Sequence, residues 1–539
     1  MGSVAQIENG RDIGSIPLPG TTMSPLRSLL MPALAAALLG PLPSHGQALP
    51  RLGVISFPTS AGPDAQRAFD EGVLWMHSFE YAKAATAFRR AQQAEPGFAL
   101  AYWGEAMTHN HPVWNERDAV QAQAVLARLG PTAAARAAKA RTPREAAWLN
   151  AAEVLWADGP KAVRDSLYEQ AMARLARDYP DDESLTFHAL AILGLKQGVR
   201  DIPDYMRAGK IALDVFRRSP SHPGAAHFVI HAFDDPDHAI LGLDAARAYS
   251  VIAPAAGHAQ HMTTHIFLAL GMWDEVARQN VVAMQAVRGD SDSLNWTPGH
   301  YTWWLHYARL QQGKWRDANR WLQRQTALLP VDAPTARREG LAQRALEWQF
   351  AVGLFDQVPY SERTPEMLSD PFRLLAWTVD AWRREMTTEV ATLADRMTAL
   401  RQAKPDDTAL RLLEPQARAI ALQMAGRSDS AIRVSGEAVR LEASLPMDFG
   451  PPAVLRPAHE GHAELLLALG RHAEAQVAFH AALARMPGRS RTLAGLVLAA
   501  RGAGDTAAAD RAMAQLQANF HAADAGAMEQ LLGSFGRRR

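Results

Sequence analysis

GVLWMHSFEYAKAATAFRRAQQAEP, running from Gly72 to Pro96, is the stretch whose spacing decides how this chain folds. Small residues stand at Gly72, Ala84 and Ala91, an aromatic at Phe88 and a proline at Pro96. That is the pattern of two antiparallel helices repeating at about 34 residues. The small side chains let the helices approach, Phe88 fills the gap between one hairpin and the next, and Pro96 ends the second helix. The pattern returns in LLLALGRHAEAQVAFHAALARMP, with Ala475, Phe479, Ala482 and Pro487 in the matching places, and a degenerate copy follows through Ala509. Between these ends, Gly271 with Trp273 and Gly313 with Trp315 mark two more hairpin turns of a Gly-x-aromatic kind.

From Asp64 onward, short amphipathic helices alternate with turns of a few residues and no strand pattern appears. The spacing resembles that of the tetratricopeptide-repeat superfamily, with Trp75 where a tyrosine is usual. The expected fold is therefore all-α, a tetratricopeptide-like solenoid of helical hairpins, in which each hairpin buries its apolar face against its neighbours and the stack curves around a concave groove. The Pro- and Asp-bearing stretches Leu329 to Arg338 and Ala403 to Asp407 read as joints. The chain divides into an export signal and preceding tail over 1–48, an N-terminal solenoid over 49–335 and a C-terminal solenoid over 336–539. The export signal rests on Arg27, the apolar run Ser28 to Leu42 and the small-residue stretch Ser44 to Ala48, with Met23 as an alternative start to Met1. The run is too short and too interrupted by proline for a stable membrane span. It implies a periplasmic or secreted protein.

Composition narrows the chemistry. Fifty-six basic residues balance fifty-six acidic ones, so no net field draws in nucleic acid or an anionic membrane. With no cysteine, disulfides, thiolate catalysis, Fe–S clusters and thiolate zinc sites are all excluded. No phosphate-binding loop, dinucleotide fingerprint or Gly-x-Ser-x-Gly elbow is present, so no nucleotide cofactor is expected.

Histidine is distributed unevenly. Nine of the nineteen histidines lie between His222 and His306, in about 85 residues where an even spread would place about three. His227 and His231 are four apart, which on a helix sets both rings on one face about 6 Å apart. His258, His261 and His265 advance by three and then four, forming a stripe about 10 Å long. That is long for a single tetrahedral site, so either His258 only orients the others or more than one ion is held. If Gly271 marks the turn, Thr264 and Phe267 take the packing positions and the three histidines face the groove. His300, in NWTPGHYTWW, opens the first helix of the next hairpin, at the equivalent early position.

The blocks AYWGEAMTHNHPVW, HPGAAHFVIHAFDDPDHA and GHAQHMTTHIFLALGMWDEV resemble a group of bacterial tetratricopeptide-repeat proteins that carry the same three histidine blocks. The resemblance covers most of the chain and fades after residue 335. It implies architecture more than a reaction, and by matching motifs it carries over His109, His111, His227, His231, His258, His261, His265 and His300.

A single helical histidine is more often packed than ligating, but so many converging imidazoles would compete for donors and acceptors. The reading that follows is a metal site in the groove, holding copper, zinc or iron, in a metalloenzyme acting on a small organic substrate or in a metal carrier. Asp234, Asp235 and Asp237 stand as ligands or as acceptors that fix histidine tautomers. Asp235 and Glu105 are the candidate proton acceptors of catalysis. Trp296, Tyr301, Trp303 and Trp304 offer an apolar wall beside His300. The alternative reading is a non-catalytic scaffold that takes a peptide or protein partner in its concave surface, with the histidines as recognition groups.

Overall fold

The computed structural model describes residues 51–195, 200–288, 296, 298–355, 360–447 and 449–535. The expected export signal lies outside the described residues. Among the described residues the chain is built from α-helices paired into successive hairpins, and the strands are the pair Asn110–His111 and Glu116–Arg117. The fold is the expected tetratricopeptide-like solenoid of helical hairpins. No described helix is long and apolar enough to cross a membrane.

The first hairpin shows why the sequence folds this way. Pro63 starts the helix Pro63–His77, where its missing N–H costs nothing and its fixed φ suits the first turn. Phe69, Val73 and Met76 form the buried face of that helix, and Ala84, Phe88 and Ala91 that of Tyr81–Ala94. Phe88 is fully buried. A Cβ added to Gly72 would come within 2.6 Å of its ring, and one added to Gly104, on the following helix Ala99–Met107, within 2.4 Å. The ring is thus clamped between its own hairpin and the next, and each clamp requires a residue without a side chain.

Later hairpins repeat the arrangement. Gly271, at φ 70°, turns the chain between Gly257–Ala269 and Trp273–Arg288, a left-handed conformation that glycine adopts without strain. Gly313 does the same between His300–Gln311 and Trp315–Ala327. In the first hairpin that place belongs to Phe79, at φ 54°.

The C-terminal hairpins fold back onto the middle of the chain. Trp273 donates its indole N–H to the Gly488 carbonyl at 2.8 Å, Ser490 donates its hydroxyl to the Gln311 carbonyl at 2.5 Å, and Arg489 bridges Glu460 and the Tyr307 hydroxyl. Leu310, Trp315 and Ala318 share one apolar cluster with Val352, Phe479, Leu493 and Phe520. The core therefore runs across the joint expected near residue 335. The described residues from 51 onward form one compact unit.

Candidate metal centre

Four helices bring the histidines together. Pro223–Ala232 carries His227 and His231, whose ring centroids are 4.7 Å apart, as the four-residue spacing requires. Gly257–Ala269 carries His258, His261 and His265, and His300 opens the helix His300–Gln311. The fourth contributor is Pro63–His77, through a backbone carbonyl at its C-terminal end.

The stripe on Gly257–Ala269 is shared between two groups. His258 joins His227 and His231, while His261 and His265 join His300. Within each group one ligand atom from every residue lies within 4.8 Å of the others. The groups abut: the rings of His231 and His265 are 6.3 Å apart and those of His258 and His261 are 6.5 Å apart, no farther than some pairs within a group. The stripe, long for one ion, is thus divided between two groups, each compact enough for one.

Hydrogen bonds settle three tautomers. His227 Nδ1 lies 2.6 Å from the His77 carbonyl oxygen, which only accepts, so the proton is on Nδ1 and Nε2 presents a lone pair. His261 Nδ1 donates to Asn280 Oδ1 at 2.7 Å, and Asn280 is held in that orientation because its amide N–H donates to the Val276 carbonyl. His265 Nδ1 donates to the Asp234 carboxylate at 2.6 Å. Orienting a ligating imidazole through its far nitrogen, by carbonyl, amide or carboxylate, is the usual support around a metal. Among the described residues, Nε2 of His227, His231, His258 and His261 is buried without any hydrogen-bond partner. Buried polar atoms are nearly always satisfied, and four orphaned imidazole nitrogens in one small volume fit the donor set of an ion.

Burial and mutual repulsion disfavour protons here. Removal from water, reinforced by neighbouring imidazoles, holds His227, His231, His258 and His261 well below the ordinary histidine value and pushes His300 down to about 3. The rings are neutral at physiological pH, the form that ligates.

The walls are aromatic. Phe79 packs against His227 at 4.3 Å between centroids and stacks on His231 and His258 at 5.6 Å. Trp304 lies 4.4 Å from His265 and 4.9 Å from His261, Tyr301 stacks on His261, and Trp114 meets His258 edge-on. Thr264 and Phe267 are buried, as the packing assignment required, but the opposite face is roofed by these rings instead of lying open to a groove.

The remaining expected residues lie elsewhere. His111 spends its nitrogens on the Thr108 carbonyl and Glu116 and stacks on Tyr81, so it sits behind the Trp114 wall. His109 belongs to neither group. Glu105, expected as a proton acceptor, is enclosed by Arg89, Arg128 and Gln92, which satisfy its carboxylate as a structural anion. Asp235, expected in the same role, is taken up by Arg200 and His238 and by the backbone N–H groups of Asp237 and His238. Neither carboxylate makes a bond to a histidine of the two groups.

A third group, His77, Glu183 and His222, is fully buried and has the geometry to hold an ion. Its tautomers point another way. His222 Nδ1 accepts the Ala225 backbone N–H at 3.1 Å, which puts its proton on Nε2, facing Glu183 at 3.2 Å. His77 Nε2 lies 2.8 Å from the other carboxylate oxygen. Burial works against the Glu183 anion, but the two imidazoles hold its carboxyl down at about 2. The group is a buried cluster of a carboxylate and two imidazoles, in which Glu183 holds the ring of His77, whose carbonyl orients His227. Sequence reasoning missed His77, Glu183, Asn280 and Phe79.

No protein-family model matches the chain, and no curated protein matches it. Solved structures similar to it include the P58(IPK) TPR domain, at 13% identity over 82% of this chain and 99% of that one, TM-score 0.23. Yeast Tom70 aligns at 13% identity over 87% and 93%, TM-score 0.23. A human IFIT1 dimer with m7Gppp-AAAA aligns at 11% identity over 86% and 90%, TM-score 0.31. These superpositions are loose, and the hairpin assignment stands on the chain's own packing around Phe88 and its turns at Gly271 and Gly313.

Proposed function

We propose that the chain is a metal protein whose two adjacent three-histidine groups hold a pair of ions, and that this centre serves an enzyme acting on a small organic substrate. The observation that carries the reading is the set of four buried, partnerless Nε2 atoms, with the far nitrogens of His227, His261 and His265 fixed by their hydrogen bonds. An all-imidazole donor set without thiolate suits copper first, then zinc or iron. Bound ions of this kind activate water or dioxygen, the chemistry of hydrolysis or oxidation. The chain's own part is to present neutral imidazoles, to hold their outer protons on His77, Asn280 and Asp234, and to exclude bulk water with Phe79 and Trp304. Three protein ligands per ion leave coordination positions for a substrate.

The burial of the rings favours this reading over a peptide-binding scaffold, since His227 and His261 expose no surface that a peptide could touch. Membership in the bacterial group with the same histidine blocks, and export to the periplasm or beyond, belong to the same proposal.

Elemental analysis of the purified protein is the test. The expected result is about two equivalents of copper, zinc or iron per chain, falling below one in His231→Ala/His265→Ala, with helical content kept and thermal stability lowered. A wild-type chain that carries no metal and takes up none when loaded sinks the proposal.

A further inference from the structure

The two histidine groups differ in what stands behind them. Behind the first, His227 leans on a neutral carbonyl, that of His77. Behind the second, His265 leans on a carboxylate, Asp234, which is only 4% exposed. A carboxylate that accepts the Nδ1 proton raises the donor strength of Nε2 and brings a full negative charge next to the ion.

The other charges nearby do not cancel this difference. Arg200, beside His231, is paired with Asp235. Arg344, beside His300, is paired with Glu347. Among the described residues, Arg200 at the first group and Arg344 at the second are thus each matched by a carboxylate of their own. Glu183 lies behind the first group, but it is already engaged by two imidazoles and reaches His227 only through the backbone of His77. Among the described residues, Asp234 is the carboxylate that bonds directly to a ring of the two groups.

Resting on the metal reading above, we infer that the two sites are unequal: the ion of His261, His265 and His300 binds first and more tightly, and Asp234 sets the order. A divalent ion among three neutral imidazoles leaves two uncompensated charges in a buried place, whereas at the second group Asp234 removes one of them. Uncompensated buried charge is costly, so the second group fills at lower metal concentration. Its occupancy then raises the repulsion met by an ion entering the first group, which widens the gap.

Titration of the metal-free full chain with copper(II), against a competing chelator, reads the order. Wild type should take up two equivalents in two steps, with dissociation constants at least tenfold apart. His227→Ala/His231→Ala should keep the tight step and His261→Ala/His265→Ala only the weak one. Asp234→Asn should weaken the first step by roughly 10- to 100-fold and leave the second little changed. That variant, whose amide keeps the shape and still accepts the His265 proton, stands as the deciding measurement if either double variant fails to fold. Two indistinguishable equivalents, the reverse order, or an Asp234→Asn chain with unaltered affinity overturns the inference while leaving the metal reading intact. A wild-type chain that binds no copper overturns both.

Discussion

His227, His231, His258, His261 and His300 are imidazoles kept neutral by burial and by one another, and this has a consequence for the metal-free protein. Their folded-state pKa values lie below the value of about 6.5 in an unfolded chain, so as pH falls through 6.5 the unfolded chain takes up protons that the folded one refuses. Stability therefore decreases from about pH 6.5 downward, by roughly 1.4 kcal/mol per pH unit for each group protonated only in the unfolded state. Glu183 acts in the same sense, but only below the ordinary carboxylate range. Urea unfolding of the metal-free chain should show a clear loss between pH 7.5 and 5.5, and equal stability at the two values would contradict the neutral cluster. Much of the cluster was legible in the sequence, because i, i+4 and i, i+3 spacings on one helix translate directly into shared faces. Its supports were not. His77 meets Glu183 across 106 positions of chain and His227 across 150, and no local pattern encodes such meetings. Asn280 did leave a trace, as a polar residue between Val276 and Ala283 on the buried stripe of its helix.

Among the helices, the pairing of a bare glycine with an aromatic from the neighbouring hairpin sets how closely successive elements approach. Phe88 is clamped by Gly72 and Gly104, and Phe479 meets Gly495 in the same way, where a Cβ would come within 2.2 Å of the ring. Gly104→Ala should therefore cost about 1–3 kcal/mol by overpacking, whereas the same change at Gly340, inside a helix with open space around it, should stabilise by about 0.5–1 kcal/mol, as measured by chemical denaturation. A null effect at Gly104 would mean that the hairpins are not packed through Phe88. The spacing of these residues made the hairpins readable from the sequence. The turn at Phe79 was not readable: the left-handed backbone given to glycine in later hairpins falls here on an aromatic. Its ring lies against all three histidines of the first group, so a strained backbone position coincides with the candidate centre.

For the whole molecule, the solenoid does more than stack hairpins. Its C-terminal repeats return to the second helix of the hairpin that carries His265, through Trp273 to Gly488, and to the helix that carries His300, through Arg489 to Tyr307, and a shared core spans both halves. The expected division at residue 335 followed a Pro- and Asp-bearing turn, a local signal. The contacts that bridge it join residues about 180 to 215 positions apart, as in Gln311 with Ser490, and lie beyond any local reading. Where an open groove was expected, the two sets of three imidazoles are packed among aromatic rings. Anomalous diffraction from crystals of the copper-loaded chain tests the two-ion proposal most directly. Two peaks are predicted, one among the Nε2 atoms of His227, His231 and His258 and one among His261, His265 and His300; density only at surface histidines, or none, would contradict it.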